Sequence, residues 1–423
     1  MTMQSRLSDL GLNYPTILLP KPDLDLQRWA VIACDQFTSD QGYWEAVEQY
    51  VGDSPSTLHV VLPEIYLDQR DQEVETRRIR TTMEEYLQQD VFQEYSESAV
   101  FVTRTLSDGT ERRGLVLAVD LESYDYNPDT AALIRASEET IPSRLPPRAA
   151  IRKEALLETP HVLVLYNDPD DTVTGILSEA EKSLDLLYDT PLMMDGGGVR
   201  GRRVPLDHPA TAKIVSALEA LRDGSLLFAT GDGNHSLAAA KTVWQERKAA
   251  GAAENDPFRY CLVELVNVFD PGLPFHPIHR LARGAESTVL ELLEEKAGSL
   301  LQPLSRSEFV RSEETSHPGK REIGFYGPDS AGKIAVTDKT LLPVALVDDV
   351  LSDAPVSEID YVHGFEEVCR AADRVGGAAL IVPEFDRDKL FPTVATRGAL
   401  PRKAFSLGRA VDKRYYLECR ALT

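Results

Sequence analysis

Apolar residues in this chain fall into short continuous runs, separated by stretches in which they recur every three or four positions. That alternation predicts buried strands linked by amphipathic helices, hence a mixed α/β (α+β) protein. The run at 28–34 (RWAVIAC) predicts a buried strand ending at the polar turn 35–39, followed by an amphipathic helix that reaches Tyr50. Residues 58–66 predict an extended segment and 73–89 a charged helix. A hairpin is expected from 100–104 and 113–120, turning across Ser107, Asp108 and Gly109. Downstream, the pattern gives a strand at 161–166, a helix at 177–188, and a glycine-rich turn at 195–198 between two short strands. A helix at 210–221, a strand at 226–230 and a helix at 237–250 follow. In the last third, a helix at 288–300 precedes strands at 322–326 and 378–382 that flank a helix at 364–375. No internal repeat or low-complexity tract interrupts this order.

A chain of 423 residues exceeds one ordinary core, so several lobes are expected. The segments divide as 1–190, an N-terminal α+β lobe; 191–285, a central unit; and 286–423, a C-terminal α/β lobe. The net charge of -23 opposes binding to a phosphate backbone or an anionic membrane, and it makes local basic islands stand out as anion sites. The four cysteines are dispersed with no C-x-x-C pair, and no leader or long apolar span is evident, which together suggest a reduced, cytoplasmic setting. Composition says nothing of oligomeric state.

The segment SLLFAT-GDGNHS-LAAAKTVWQER places a polar turn with two glycines between a strand and a helix. Unpaired amides and the positive end of the macrodipole meet at such a helix start and favour phosphate or carboxylate, while Gly231 and Gly233 let a ligand approach the backbone. Asp232 can hold a metal or accept a proton, and His235 can donate to an anion or act as acid or base. Asn234 and Ser236 can contact the ligand or simply cap the helix, and an ordinary capped β-to-α turn explains the same residues.

The Asp-Gly-x-His turn followed by an alanine-rich helix resembles the ParB/sulfiredoxin-like superfamily, in which a turn of this kind meets nucleotide phosphates. The chain as a whole resembles the bacterial and archaeal family called domain of unknown function 1015. The resemblance rests on Arg135 to Thr140, Gly198-Val199-Arg200, Gly231 to Ala240, Phe269 to Gly272 with His279-Arg280, and Asp360 to Gly364. It implies a ParB/sulfiredoxin-like central unit with flanking α/β lobes, and small-molecule phosphoryl transfer like that of free-serine kinases. This chain departs from the pattern: Asn234 and Ser236 stand where many relatives have His and Arg, and Ser137 where many have His. Without that Arg the turn lacks a bidentate phosphate donor.

Other candidates lie along the chain. Arg135, Arg144, Arg148, Arg152 and Lys153 form a basic island, with Thr140 and Ser143 as hydroxyl donors. Arg135, Glu138 and Arg144 sit in a proline-containing loop, where ligand groups concentrate, whereas the later arginines suit a solvated helix face. Asp35 follows a predicted strand end and is a base or metal candidate, though Thr38 and Gln41 also fit a capping box. His276 and His279 flank Pro277 and have no third metal ligand nearby in sequence. His279 with Arg280 can face a phosphate, His363 can contact ligand or start a helix, and Arg402, Lys403 and Ser406 can close over a ligand or form a basic tail.

These observations lead to one expectation: nucleotide-dependent phosphoryl transfer to a small hydroxyl metabolite, with free serine a candidate acceptor. ATP or ADP and Mg2+ are the expected cofactors, with the metal ligands undefined. Asp232, His235 and Asp35 are the catalytic candidates. Gly231, Gly233, Asn234, Ser236, Lys241, Arg135, Glu138, Thr140, Arg144, His279, Arg280, His363 and Lys403 are the binding candidates. A metal-assisted hydrolase of a phosphorylated metabolite and a non-catalytic metabolite-binding protein are the alternatives.

Overall fold

The computed structural model describes residues 2–222, 224–313 and 319–423. The chain divides into two compact units, one of 1–273, 394–399 and 408–423, the other of 274–393 and 400–407.

The first unit is built on a 10-stranded mixed sheet. Its strands are β1 (Leu12–Asn13), β2 (Ser98–Thr105), β3 (Glu111–Asp120), β4 (Tyr124–Asp125), β5 (Ile134–Arg135), β6 (Val162–Tyr166), β7 (Leu186–Pro191), β8 (Gly198–Pro205), β9 (Phe228–Asp232) and β10 (Tyr260–Asn267). In space the order is β7-β8-β2-β3-β10-β6-β9-β5-β4, with β1 paired to β3. β6 runs parallel to β10 and antiparallel to β9, and β9 runs parallel to β5. The central strand β6 reads VLVLY and is buried at every position, as a strand covered on both faces must be. Around the sheet lie α1 (Gln41–Val51), α2 (Gln72–Gln88), α3 (Leu145–Glu154) and α4 (Asn234–Ala249), with α3 packed on α4. Leu237, Ala240, Val243 and Trp244 of α4 are buried, and the run of small alanines lets the helix approach its neighbours closely.

After its passage through the second unit, the chain returns to the first along 408–423. Tyr415 and Tyr416 pair with Ile32 and Val31, Cys419 bridges Leu18, and Arg420–Ala421 pairs with Leu157–Glu158. Buried charge fixes this strap. Arg414 meets Glu264 and lies 2.5 Å from Glu418, while Arg112 donates to the Asp412 carbonyl at 2.8 Å. These groups are almost wholly removed from water, so losing one partner would strand its counter-charge.

The second unit carries β11 (Ile278–Arg283), β12 (Gln302–Pro303), β13 (Glu322–Tyr326), β14 (Ala331–Ala335), β15 (Glu358–His363) and β16 (Ala378–Ile381). All pairings in its sheet, ordered β12-β14-β13-β16-β11-β15, are antiparallel. Its helices include α5 (Glu286–Ala297), α6 (Pro343–Asp353) and α7 (Phe365–Val375).

Several expectations change. Residues 58–66 are not extended but form two 3-10 turns, Thr57–Val60 and Glu64–Tyr66. The Ser56 hydroxyl accepts from the Leu58 amide, and Pro63 interrupts any strand pairing. The helix expected at 177–188 occupies Thr172–Ala180, and the sequence after it becomes β7 because Tyr188 finds a buried place opposite Gly201 of β8. Only Val31–Ile32 of the run at 28–34 is strand, after a short helix at Leu26–Trp29. The boundary expected at 190/191 falls inside β7, the edge strand of the first unit's sheet, and the segment expected to end the C-terminal lobe belongs to the first unit from Gly408 onward. Alternating hydrophobicity marks a strand without revealing which sheet it joins.

Candidate functional site

Strand β9 ends at Asp232, Gly233 takes a left-handed conformation (φ 79°), and α4 begins at Asn234. Gly233, at the N-cap, offers the first turn no side-chain hydrogen bond, and the Ser236 amide donates to the Gly233 carbonyl at 3.0 Å. The pairing of β9 with β6 slips between Val164, opposite Thr230, and Leu163, opposite Asp232, so Gly231 is an extra residue. A bulge of this kind re-aims the side chain that follows it. A Cβ on Gly233 would come within 3.1 Å of His161 Cδ2, so glycine is required there for both its φ and its space.

Asp232 is the hub of a cluster of charges. Its Oδ2 accepts from Lys413 Nζ at 2.9 Å, and its Oδ1 accepts from the Gly233 amide at 3.0 Å. His161, just before β6, lies with Nε2 3.6 Å from Asp35 Oδ2, an ion-pair contact but too long for a hydrogen bond. Its Nδ1 is 2.6 Å from the Tyr416 hydroxyl, which also accepts from the Cys34 amide at 2.9 Å. Burial works against charge on His161, but Asp35, with help from Cys34 and Asp232, reverses this and raises it to about 10. The surroundings thus favour the imidazolium, the form in which Nδ1 donates to the Tyr416 hydroxyl. Burial likewise opposes charge on Asp232, yet the Lys413 ammonium and the His161 charge hold its pKa below the usual carboxylate range.

A second element closes on the helix start. The Ser137 amide donates to Thr230 Oγ1 at 3.1 Å, and Thr230 in turn donates to Asn234 Oδ1. The Ile141 amide donates to His235 Nε2 at 3.1 Å. The chain then enters α3, where Arg148 donates to the Arg144 carbonyl at 2.9 Å and pairs with Glu64, whose own amide donates to the Cys34 carbonyl at 2.7 Å. Residues 35, 137–148 and 232–235 thus form one connected neighbourhood. His235 is pushed down to about 4 by burial and by the charges of Arg148 and Arg144. It is neutral, with its Nε2 lone pair already used, which makes it a clasp for the loop more than a proton carrier. Arg144 is exposed, and no carboxylate among the described residues lies within ion-pair distance of it.

Other expected residues have different roles. Arg135 donates to the Ala132 carbonyl and the Ser225 hydroxyl, at the far end of β9 from Asp232. Lys241, seven residues into α4, donates to the Leu121 carbonyl at 2.7 Å, about 10 Å along the axis from the helix start. Glu138 and Thr140 lie on the closing loop, and Ser236 lies in the first turn of α4. His279, Arg280, His363 and Lys403 belong to the second unit. There His279 accepts from the Val382 amide, Arg280 forms a paired contact with Asp348, His363 ends β15, and the Lys403 ammonium sits 4.2 Å from the Tyr361 ring centroid. Sequence reasoning missed His161, Lys413 and Tyr416. His161 heads a predicted strand and was legible as a strand-end residue, but Lys413 lies in a tail whose local composition reads only as basic surface.

Fold and site together define a mixed α/β protein with a carboxylate–cation cluster at the end of a central strand, facing an uncapped helix. The chain belongs to the family described as protein of unknown function (DUF1015), whose pattern matches residues 17–361. No curated protein matches the sequence. Among solved structures it is similar to a conserved hypothetical protein from Pyrococcus furiosus, at 11% identity and a TM-score of 0.35, covering 71% of this chain and 93% of that one. It is also similar to SbnI with C-terminal truncation from Staphylococcus aureus, at 10% identity and a TM-score of 0.37, covering 69% and 82%. A free serine kinase in complex with AMP matches at 10% identity and a TM-score of 0.35, covering 71% and 90%.

Proposed function

We propose that the first unit transfers a phosphoryl group from ATP or ADP to a small hydroxyl metabolite, with free serine a candidate acceptor. The observation that carries this reading is the Asp232 carboxylate, held ionised by Lys413 and His161 directly before the uncapped start of α4. In this reading the β9–turn–α4 segment is the ParB/sulfiredoxin-like element that the sequence resemblance implies. The Asn234 and His235 amides at the start of α4 and the exposed Arg144 meet the nucleotide phosphates.

The acceptor hydroxyl donates to Asp232. Its oxygen forms the new P–O bond, the bridging P–O bond to the nucleotide breaks, and the proton passes through the carboxylate to solvent. A carboxylate this acidic is a weak base but a constant acceptor at neutral pH, so it acts chiefly by orienting the hydroxyl. Lys413 and His161 keep it in that state. Among the described residues no group of three or more His, Cys, Asp or Glu could hold a metal ion. They do not fit a protein-held Mg2+, which would enter bound to the nucleotide phosphates.

The test is to supply ATP or ADP, Mg2+ and a pool of hydroxyl metabolites, measure nucleotide binding by calorimetry, and follow phosphorylated product by mass spectrometry. Wild type is expected to give product, and Asp232→Asn to lower the rate by about 10²-fold or more with nucleotide affinity nearly unchanged. No nucleotide binding and no product would end this reading. Binding without product would leave a metabolite-binding protein, and phosphate release from a phosphorylated metabolite without nucleotide would indicate a hydrolase.

A further inference from the structure

Two hydroxyls on the loop that closes over α4 are out of place by ordinary accounting. Ser137 is fully buried, yet among the described residues its Oγ has no hydrogen-bond partner, and the buried Oγ1 of Thr140 has none either. Burying a hydroxyl without a partner is unfavourable, and native structures keep few such groups. Both sit where the loop is tied to the first turn of α4. The Ser137 amide bonds Thr230, which bonds Asn234, the first residue of the helix, and the amide next to Thr140 bonds His235, the second. The loop is therefore pinned to the first turn of α4 beside both hydroxyls. Beside them lie the uncapped helix start and the guanidiniums of Arg144 and Arg148, whose charge is felt at His235.

We infer that Ser137 and Thr140, with the first turn of α4, form a phosphate subsite in which these two hydroxyls supply the donors that the turn lacks for want of an arginine. The ligand class is a phosphate group, free or carried by a nucleotide. The inference deepens the transfer reading, on which it rests only for the identity of the nucleotide, and it stands apart from turnover.

A hydroxyl kept for a ligand behaves differently from one that holds the fold. Replacing an unpartnered buried hydroxyl by a methyl group removes a desolvated group and no bond, so the ligand-free protein should not lose stability. Ser137→Ala and the isosteric Thr140→Val are therefore each compared with wild type, by thermal denaturation without ligand and by calorimetry with inorganic phosphate and with ADP. The expected result is an unchanged or raised Tm and a Kd weakened by about tenfold for each lost hydrogen bond. An unchanged Kd for both ligands in both variants overturns the subsite, as does a wild type that binds neither ligand. Weakened binding in these variants alongside a wild type that gives no phosphorylated product sustains the subsite and refutes only the transfer reading.

Discussion

At the scale of the residue, the site is governed by two cations that sequence distance conceals. Lys413 is 8% exposed and Asp232 28%, so their pair is screened only in part. Lys413→Met is expected to cost about 2–3 kcal/mol and to raise the Asp232 pKa toward or above its ordinary value. Because the folded pKa of Asp232 is depressed, its contribution to stability is present above the unfolded pKa and lost as pH falls through the folded one. In the variant that loss should begin at higher pH, and a carboxylate-resolved NMR titration reads it directly. His161 has the opposite sign. Its folded pKa is raised to about 10, so the stability it confers is full below its unfolded value and fades as pH climbs toward 10. Thermal midpoints measured from pH 6 to 10 should fall, and His161→Gln should flatten the fall. A profile equally steep in the variant would show that another group is responsible.

At the scale of the element, the β9–turn–α4 unit is set by glycine and by a slip in register. Gly233→Ala places a Cβ at positive φ and against the His161 ring, and is expected to destabilise the protein by about 1–2 kcal/mol in urea denaturation. This unit was legible in the sequence. An apolar run, two glycines and the spacing of Leu237, Ala240 and Trp244 announce strand, turn and helix, and the hairpin across Ser107 to Gly109 formed where its turn residues placed it. The stretch after Ala180 misled because its apolar residues serve equally as a helix face or as a strand, and only the pairing with β8 decides. Asp232 and Asp35 carry their chemistry in their sequence context. His161 and Lys413 acquire theirs from packing, and nothing local to either residue reveals the partner.

At the scale of the molecule, the first unit is closed by a strap that the sequence separates from the rest of that unit. Arg414 lies between Glu264 and Glu418 and also donates to the Pro160 carbonyl at 2.9 Å, next to His161. Arg414→Met would leave Glu418 buried with only the Tyr188 hydroxyl and Glu264 with only the charges of Arg112 and Arg104, and is expected to cost about 3–5 kcal/mol. It should also speed amide exchange in β10 and in 28–34 ahead of the rest of the sheet. Uniform exchange across the sheet would argue against the strap as the clasp. Among the described residues no helix is long and apolar enough to cross a membrane.

Asp232 and its cation are 181 positions apart, with the whole second unit between them along the chain. During synthesis the carboxylate emerges early and remains without its lysine until the ribosome has passed through that unit. A product that stops between the end of α4 and Lys413 carries the turn, the glycines and the loop but not the charge pair. The charge pair at the turn is thus completed last: it forms only when one late segment of the chain has arrived.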